Sequence, residues 1–294
     1  MSTHIVAGTE IEASRASFAT DGFYIARGLL KRDATHRCRQ QIQSVFNNQL
    51  LHLDLAPSND LFSDALALHD ADITRYKKTL ASLWRLQAIG ALFNDIRIQQ
   101  FLEDVLGFGP VFVPGGQTVH VQSEELKIPG GYFGLKAHQD WPSVQGSLDG
   151  VGVWIPLSNI DMNGFPLEVA RGSHLAGLME PAGSNYDSIW QVDTCSDSDF
   201  EGLCVEQDDV VFFSNFLVHR SGLNGRANFM RIACSSRFDN GGEPSFISRA
   251  QPSAYIRSVN RGLMDYPDIA AVNRELLASE CCEFSRPAFH VEAT

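Results

Sequence analysis

Short runs of β-type residues, separated by turn-forming residues, constrain the fold of this chain more than any other feature. From about residue 110 onwards, Val, Ile, Phe and Trp cluster in short stretches divided by Gly, Pro, Asn and Asp. The candidate strands are VFVPGGQTVHVQ, GLKAHQD, GVGVWIPL, SIWQVD, DDVVFFSNFLVH and FMRIACSSRF. Short strands at this spacing are typical of a sandwich or barrel of antiparallel strands. We therefore expect a β core over about residues 109–240.

The residues before this core have the apolar spacing of helices instead. DATHRCRQQIQSVFNNQL (33–50) repeats apolar residues at helical intervals, and Asp33 is placed to cap its start. TRYKKTLASLWRLQAIGALF and IRIQQFLEDVLG predict two more helices, the second ending at Gly107. We expect a helical N-terminal support over about residues 1–108. Residues 241–294 should form a C-terminal loop and a helix around DIAAVNRELLASE.

Length and composition set the class of protein. A chain of 294 residues with 44% hydrophobic residues can bury a substantial core. We find no repeat, low-complexity tract or long linker, so a single domain over residues 1–294 is expected. The formal net charge of -12 argues against a nucleic-acid partner, because phosphate binding needs clustered Lys and Arg. A small-molecule substrate is expected instead, and the sequence does not indicate an oligomeric state.

The chain also lacks the features of a secreted or membrane protein. Its N-terminus, MSTHIVAGTEIEASRASF, has neither a basic start nor an apolar signal core, and no apolar run approaches the roughly 20 residues of a membrane span. The six cysteines are scattered without CxxC spacing, so neither a zinc knuckle nor a disulfide framework is indicated. We expect a cytoplasmic protein with reduced cysteines and no membrane partner.

The stretch GLKAHQDWPS (134–143) contains a candidate pair of metal ligands. On a strand, residues i and i+2 face the same side, so His138 and Asp140 would present an imidazole and a carboxylate together. The spacing alone is a weak signal. His52 and Asp54 have the same spacing in LLHLDLAPSND, a polar connector ending in proline, and we interpret that pair as incidental.

Two later segments raise the significance of His138 and Asp140. The run FFSNFLVHRSGLN contains His219, and the following strand contains Arg231. Two His and one carboxylate on adjacent strands suit Fe(II), because they leave positions open for a cosubstrate and O2. A guanidinium can clamp a carboxylate through two parallel hydrogen bonds. Alternatively, His138, Asp140 and His219 could be hydrogen-bonded together without a metal. Arg231 could likewise be an ordinary ion-pair partner.

Several further blocks make the pattern specific when they are taken together. They are FATDGFYIARGLL (18–30), QTVHVQ, KIPG (127–130), HQDWP, GVWIPL, NGFPLEVARGSH (163–174), VHRSGLN and RIACSSRF. Over most of the chain, these blocks resemble the phytanoyl-CoA dioxygenase family of iron- and 2-oxoglutarate-dependent oxygenases. The resemblance implies a mainly β fold with flanking helices around a double-stranded β-helix core, which is a jelly-roll, cupin-like architecture.

The resemblance also implies a set of site residues. It places Fe(II) on His138, Asp140 and His219, and 2-oxoglutarate on Arg231, with O2 as the second cosubstrate. Three further residues would lie in the cosubstrate pocket: Ser221, Trp154 and Gln122. Arg226 is the alternative to Arg231, which we prefer because it opens a strand, whereas Arg226 lies in the polar turn GLNGRAN. The turn ARGSH departs from the PGSH that relatives often have.

From this resemblance we expect a 2-oxoglutarate-dependent dioxygenase that hydroxylates a C–H bond of a small metabolite or natural-product intermediate, releasing succinate and CO2. Retention of Asp140 favours hydroxylation over halogenation. The alternatives are a zinc-dependent hydrolase or isomerase on a cupin-like barrel, and a non-catalytic binding relative. His120 and Trp141 are further candidates for the cavity wall. Loops around the metal should set specificity, and the candidates are residues 55–72, 123–136, 180–200 and 240–258.

Overall fold

The computed structural model describes residues 8–113, 115–129, 133–182 and 190–248. The chain divides into two compact units, Met1–Phe246 and Ile247–Thr294. The description below concerns the first of them. The expected C-terminal helix lies outside the described residues, and the single domain over residues 1–294 stays a prediction.

The N-terminal part is helical, as the sequence indicates. Its helices are α1 (Gly8–Asp21), α2 (Arg32–Leu51), α3 (Leu61–Ala71), α4 (Ile73–Ser82), α5 (Gln87–Phe93) and α6 (Ile96–Gln100). A 3-10 turn (Leu83–Arg85) separates α4 from α5, and a π-helical turn (Phe101–Val105) follows α6. No helix in the described ranges is both long enough and apolar enough to cross a bilayer.

Two details of the predicted helices are wrong. Helix α2 begins one residue before Asp33, with Lys31 at the N-cap and no capping side chain, so Asp33 is a first-turn acid rather than a cap. Residues 74–93 do not form one helix. Near the end of α4 the hydroxyls of Thr79 and Ser82 donate to the carbonyls of Arg75 and Thr79, and such bonds compete with the helix backbone.

The connector between α2 and α4 is shorter than expected. Most of residues 55–72, proposed above as a specificity loop, forms helix α3. Asp60 caps this helix by accepting a hydrogen bond from the backbone N–H of Ser63. Buried Asp64 accepts further bonds from the backbone N–H groups of Ser58 and Asn59, which holds the preceding turn against the helix. Asp is a preferred N-cap residue, so Asp60 is a sequence signal for the start of this helix that the prediction of a loop did not use.

The β core consists of two antiparallel sheets. Its strands are β1 (Phe23–Ala26), β2 (Val111–Phe112), β3 (Thr118–Gln122), β4 (His138–Gln139), β5 (Val151–Pro156), β6 (Leu167–Ala170), β7 (Trp190–Gln191), β8 (Phe200–Leu203), β9 (Val210–Ser214), β10 (His219–Ser221) and β11 (Arg231–Asn240). The larger sheet has the order β1-β9-β5-β11, with β2 and β3 both pairing the far side of β11, and the smaller has the order β7-β4-β10-β6-β8. Each predicted run contains a strand, and β1, β6 and β8 were not predicted.

The larger sheet is buried on both faces. Along β9, Val210 and Phe212 pack with the helices, whereas Val211 and Phe213 pack between the two sheets with Leu167 and Val169 of β6. This two-sided burial explains why β5, β9 and β11 have nearly continuous apolar sequences rather than alternating ones. Gly152 in β5 pairs with Phe213 of β9, and an added Cβ would lie 2.4 Å from the Phe213 ring, so the buried ring leaves room only for glycine here.

The fold class predicted from the sequence is confirmed: a mainly β protein with flanking helices around a curled double sheet. The consequence for function is that the smaller sheet brings β4 and β10 side by side, while the larger sheet presents one face of β11 to the same interior.

Candidate metal centre

The centre forms where two very short strands pair. His138 in β4 lies directly opposite His219 in β10, and the two ring centroids are 4.1 Å apart. Asp140 lies beyond the end of β4, in a helical backbone conformation that begins a short helix, α7 (Trp141–Val144). The strand geometry expected for Asp140 is therefore wrong. Its position is set instead by Asn215, whose carbonyl accepts the backbone N–H groups of Asp140 and Trp141.

The three side chains converge in a buried position. His138, Asp140 and His219 are each no more than 5% exposed. Asp140 Oδ1 lies 3.7 Å from His138 Nε2, and Asp140 Oδ2 lies 3.8 Å from His219 Nε2. One potential ligand atom from each residue lies within 4.8 Å of the others, and no other group of three potential ligands occurs in the part of the chain that is described.

Hydrogen bonds set the tautomer of both imidazoles. His138 Nδ1 lies 2.7 Å from the Lys136 carbonyl, and His219 Nδ1 lies 2.9 Å from the Leu217 carbonyl. A carbonyl only accepts, so each Nδ1 donates and each Nε2 keeps its lone pair. Burial lowers the pKa of His138, and burial together with the neighbouring His138 lowers the pKa of His219 to about 3. Both rings are therefore neutral at pH 7, the form that binds metals.

Asp140 is ionised in spite of its burial. Burial acts to raise the pKa of its carboxyl, but the positive charge of Arg237 outweighs burial and holds the pKa below its ordinary range. Arg237 donates from Nε to Asp140 Oδ2 at 2.9 Å, and its Nη2 forms an ion pair with the same oxygen at 2.7 Å. Two neutral imidazoles and one carboxylate fit a divalent metal of the Fe(II) type.

Arg231 opens β11 on the face that points between the sheets. Its side chain is 3% exposed, and its Nη1 donates to the Phe165 carbonyl at 2.8 Å. Phe165 has φ +55°, a conformation that a non-glycine residue rarely adopts, and this turns its carbonyl towards the arginine. Arg226, the alternative in the sequence, is exposed and bonds both carboxylate oxygens of Asp161.

One cavity joins two of the metal candidates, His138 and His219, to Arg231. Besides these residues, its wall includes His120, Leu135, Trp154, Leu167, Phe213, Arg220, Ser221, Ser235 and Arg237. Ser221 and Trp154, which the family resemblance placed beside the cosubstrate, both line this cavity, and their contact with a cosubstrate stays a prediction. Ser221 Oγ accepts the backbone N–H of Leu135, and burial lowers the pKa of His120, whose Nε2 lies 2.9 Å from Ser235 Oγ, to about 3.

Other predicted residues lie behind the wall. Gln122 pairs with Arg231 across β3 and β11 and donates to the Gly222 carbonyl, but it is absent from the described cavity wall. Trp141 stacks on Phe216 and donates to the Ser147 carbonyl, so it packs beside the centre. Of the four proposed specificity segments, residues 123–136 contribute Leu135, and the described parts of the other three contribute nothing to this wall.

Two further residues were missed in the sequence. Arg237 shares the inner face of β11 with Arg231 and Ser235, as the alternation of a strand dictates. Gln139, between two of the metal candidates, is fully buried. It donates to the carbonyls of Gly177 and Phe216 and accepts from the N–H of Met179. The even spacing from Arg231 could have identified Arg237, whereas no local signal identifies the partners of Gln139.

Residues 18–233 match the family described as phytanoyl-CoA dioxygenase (PhyH). The chain belongs to the phytanoyl-CoA dioxygenase family. The family predicted from the sequence is thereby confirmed, and with it the coarse class of enzyme, an oxygenase dependent on iron and 2-oxoglutarate. None of the curated proteins matches this PhyH-family chain.

Solved structures share the fold of this PhyH-family chain at low sequence identity. The epimerase SnoN, in complex with Fe3+, alpha ketoglutarate and nogalamycin RO, has a TM-score of 0.54 and 15% identity, over 79% of this chain and 84% of its own. EvdO2 from Micromonospora carbonacea var. aurantiaca has a TM-score of 0.51 and 13% identity, over 77% of this chain and 89% of its own. At these identities the likeness establishes the fold alone.

Proposed function

We propose that this chain hydroxylates an unactivated C–H bond of a small organic substrate, with Fe(II) as cofactor and 2-oxoglutarate and O2 as cosubstrates. The observation that carries the proposal is the buried convergence of His138, Asp140 and His219, two of which, the histidines, share one cavity with Arg231. The bound ligands of SnoN, Fe3+ and alpha ketoglutarate, support the same assignment on a similar fold.

The residues have distinct proposed roles. His138 and His219 would hold the iron through the Nε2 lone pairs that their Nδ1 bonds leave free. Asp140 would contribute a charged oxygen, and Arg231 would hold the far carboxylate of 2-oxoglutarate through charge-assisted hydrogen bonds. When bound, iron, 2-oxoglutarate and O2 together supply an oxidant able to remove hydrogen from a C–H bond, with succinate and CO2 as the other products.

The protein supplies position and exclusion of water. Trp154, Leu167 and Phe213 form an apolar part of the wall beside the metal candidates, and all three side chains are buried. A dry wall limits side reactions of a strong oxidant and strengthens the charge pairing of Arg231. Ser221 and Trp154 are proposed to contact the cosubstrate because they line the same cavity. Gln122 would act indirectly, through its position beside Arg231 in the neighbouring strand.

The first test measures cosubstrate use in the wild-type protein. After anaerobic loading with Fe(II), 2-oxoglutarate should produce a weak visible charge-transfer absorption, and exposure to O2 should release succinate. The matched control is His219→Ala, which should give neither signal. A colourless, 2-oxoglutarate-independent hydrolytic activity with zinc would support the zinc hydrolase instead. Iron loading with no succinate release under any substrate would support a non-catalytic binding protein.

The second test addresses hydroxylation itself. A panel of small metabolites is incubated with the iron-loaded protein, 2-oxoglutarate and 18O2, and products are analysed by mass spectrometry. Hydroxylation predicts a product that gains one oxygen atom, labelled from 18O2. A product of unchanged mass would indicate epimerisation, the activity named for SnoN, and a product that has lost two hydrogens would indicate desaturation. Either result would contradict hydroxylation while leaving the oxygenase class intact.

A further inference from the structure

Arg237 contacts one oxygen of the Asp140 carboxylate and leaves the other free. Nε donates to Oδ2 at 2.9 Å and Nη2 lies 2.7 Å from the same oxygen, while Nη1 donates to Ser235 Oγ at 3.0 Å. An ionised carboxylate oxygen has about two lone-pair sites, so one hydrogen bond and one close ion-pair contact from the same guanidinium occupy Oδ2. No described protein group donates a hydrogen bond to Oδ1, whose neighbour is His138 Nε2 at 3.7 Å.

The position of Arg237 is fixed by the fold. It lies on β11 within the six-residue register that joins this strand to β5, and its backbone pairs with Gly152. Ser235, two residues earlier on the same face, holds the end of the guanidinium. The side chain is 21% exposed, and the Asp140 carboxylate is 7% exposed, so the pair is largely removed from water. The two N–H groups therefore approach Oδ2 from an anchored strand.

We infer that Arg237 is a positioning residue that makes Asp140 a one-oxygen ligand through Oδ1. This inference rests on the proposed function, because it concerns the metal held by that site. An octahedral ion has six positions, of which two histidines and one carboxylate oxygen fill three. Chelation by 2-oxoglutarate would take two more and O2 would take one. If both oxygens of Asp140 bound the metal, a cosubstrate would lose its place.

A simpler role for Arg237 is neutralisation of a buried negative charge. In that case any cation at this position would serve, and loss of the cation would weaken the binding of metal and cosubstrate together. The positioning role predicts a different pattern. Loss of both N–H groups releases Oδ2 towards the metal, which maintains or improves metal binding while it obstructs 2-oxoglutarate. The two roles are distinguished by comparing the change in Fe(II) affinity with the change in 2-oxoglutarate affinity.

The experiment compares Arg237→Met and Arg237→Lys with the wild type, using anaerobic Fe(II) titration and the charge-transfer absorption of added 2-oxoglutarate. Arg237→Met should bind Fe(II) within about threefold of the wild type or more tightly, but should bind 2-oxoglutarate at least about tenfold more weakly. Arg237→Lys retains the charge with a single ammonium group, so it should give an intermediate 2-oxoglutarate affinity. Circular dichroism of each variant checks that it folds. If Arg237→Met does not fold, the comparison of Arg237→Lys with the wild type still decides the test.

The control for charge alone is Arg220→Met. Arg220 lines the same cavity but bonds Glu168 and Asp197 rather than a metal candidate, so its loss measures the general effect of removing a cation. The positioning role is overturned if Arg237→Met loses Fe(II) and 2-oxoglutarate affinity by the same factor, if Arg237→Lys equals the wild type, or if Arg220→Met matches Arg237→Met. Failure of the wild type to bind 2-oxoglutarate with Fe(II) would overturn the proposed function and this inference with it.

Discussion

The chain contains two His-x-Asp pairs of identical spacing, one exposed and one buried. His52 follows the last residue of α2, and Asp54 lies in a left-handed turn with φ +56°, with both side chains exposed. His138 and Asp140 are buried, and a third potential ligand reaches them from β10. The difference shows that spacing supplies only a candidate, while burial and a cross-strand partner make a site.

Replacing the ligands should have the largest effect and tests the comparison directly. His138→Ala and Asp140→Ala should each weaken Fe(II) binding by at least about 100-fold, because each removes one of three proposed ligands outright, and changes to supporting residues alone already cost 10–100-fold in metal affinity or activity. His52→Ala and Asp54→Ala should stay within about twofold of the wild type. Metal content after anaerobic loading and desalting measures all four. Similar losses in the two pairs would remove the distinction.

The residues between the two members of each pair offer a second contrast. Gln139→Met should destabilise the fold by about 3 kcal/mol, because it leaves two carbonyls and one N–H of half-buried residues without their side-chain partner. For a chain of this size that lowers Tm by about 5 °C. Leu53→Met, at the matching position of the exposed pair, should change stability by less than about 1 kcal/mol. Thermal unfolding followed by circular dichroism compares them, and equal shifts would contradict the bracing role of Gln139.

The same contrast between buried and exposed positions applies to the two arginines. Arg231→Met should weaken 2-oxoglutarate binding by about 10–100-fold, since hydrogen bonds to a charged group contribute about 1.5–3 kcal/mol, and should leave Fe(II) affinity unchanged. Arg226→Met removes an exposed pair with Asp161 and should leave both affinities unchanged. Binding titrations with Fe(II)-loaded protein measure the effect. The opposite ranking would assign the cosubstrate to the alternative arginine.

Residue patterns predict some levels of this structure well and others poorly. The short apolar runs identified β5, β9 and β11 because these strands are buried on both faces, and the sequence blocks identified the family. By contrast, β4 was predicted as a longer strand, but it ends at Gln139. The position of Asp140 depends on the Asn215 carbonyl, a partner far along the chain that no local pattern specifies.

The contacts around the ligands show the same limit. Arg237 and Asp140 are 97 positions apart, and their meeting depends on the register of β11 against β5. Phe165 presents its carbonyl to Arg231 from a left-handed conformation that its residue type does not favour. Periodicity along one segment contains no information about either contact. The candidate ligands were therefore predictable, while the contacts that orient them required the fold.

Acidification is expected to have the smallest effect, a loss of free energy of unfolding, and it tests the burial that distinguishes His219 from the exposed His52. The pKa of His219 lies near 3 in the folded protein because of burial and the adjacent His138, against an ordinary value of 6.5. Between about pH 6.5 and pH 3, His219 therefore binds a proton in the unfolded chain but not in the folded chain. The stability that this histidine contributes is complete above pH 6.5 and is lost as pH falls towards 3, at about 1.4 kcal/mol per pH unit. Urea unfolding of the metal-free protein between pH 7 and 5 should show this loss, and His219→Asn should reduce the slope. Stability that is constant or rises on acidification over that range would show that His219 is protonated in the folded state, and would remove the basis for its neutral, metal-binding form.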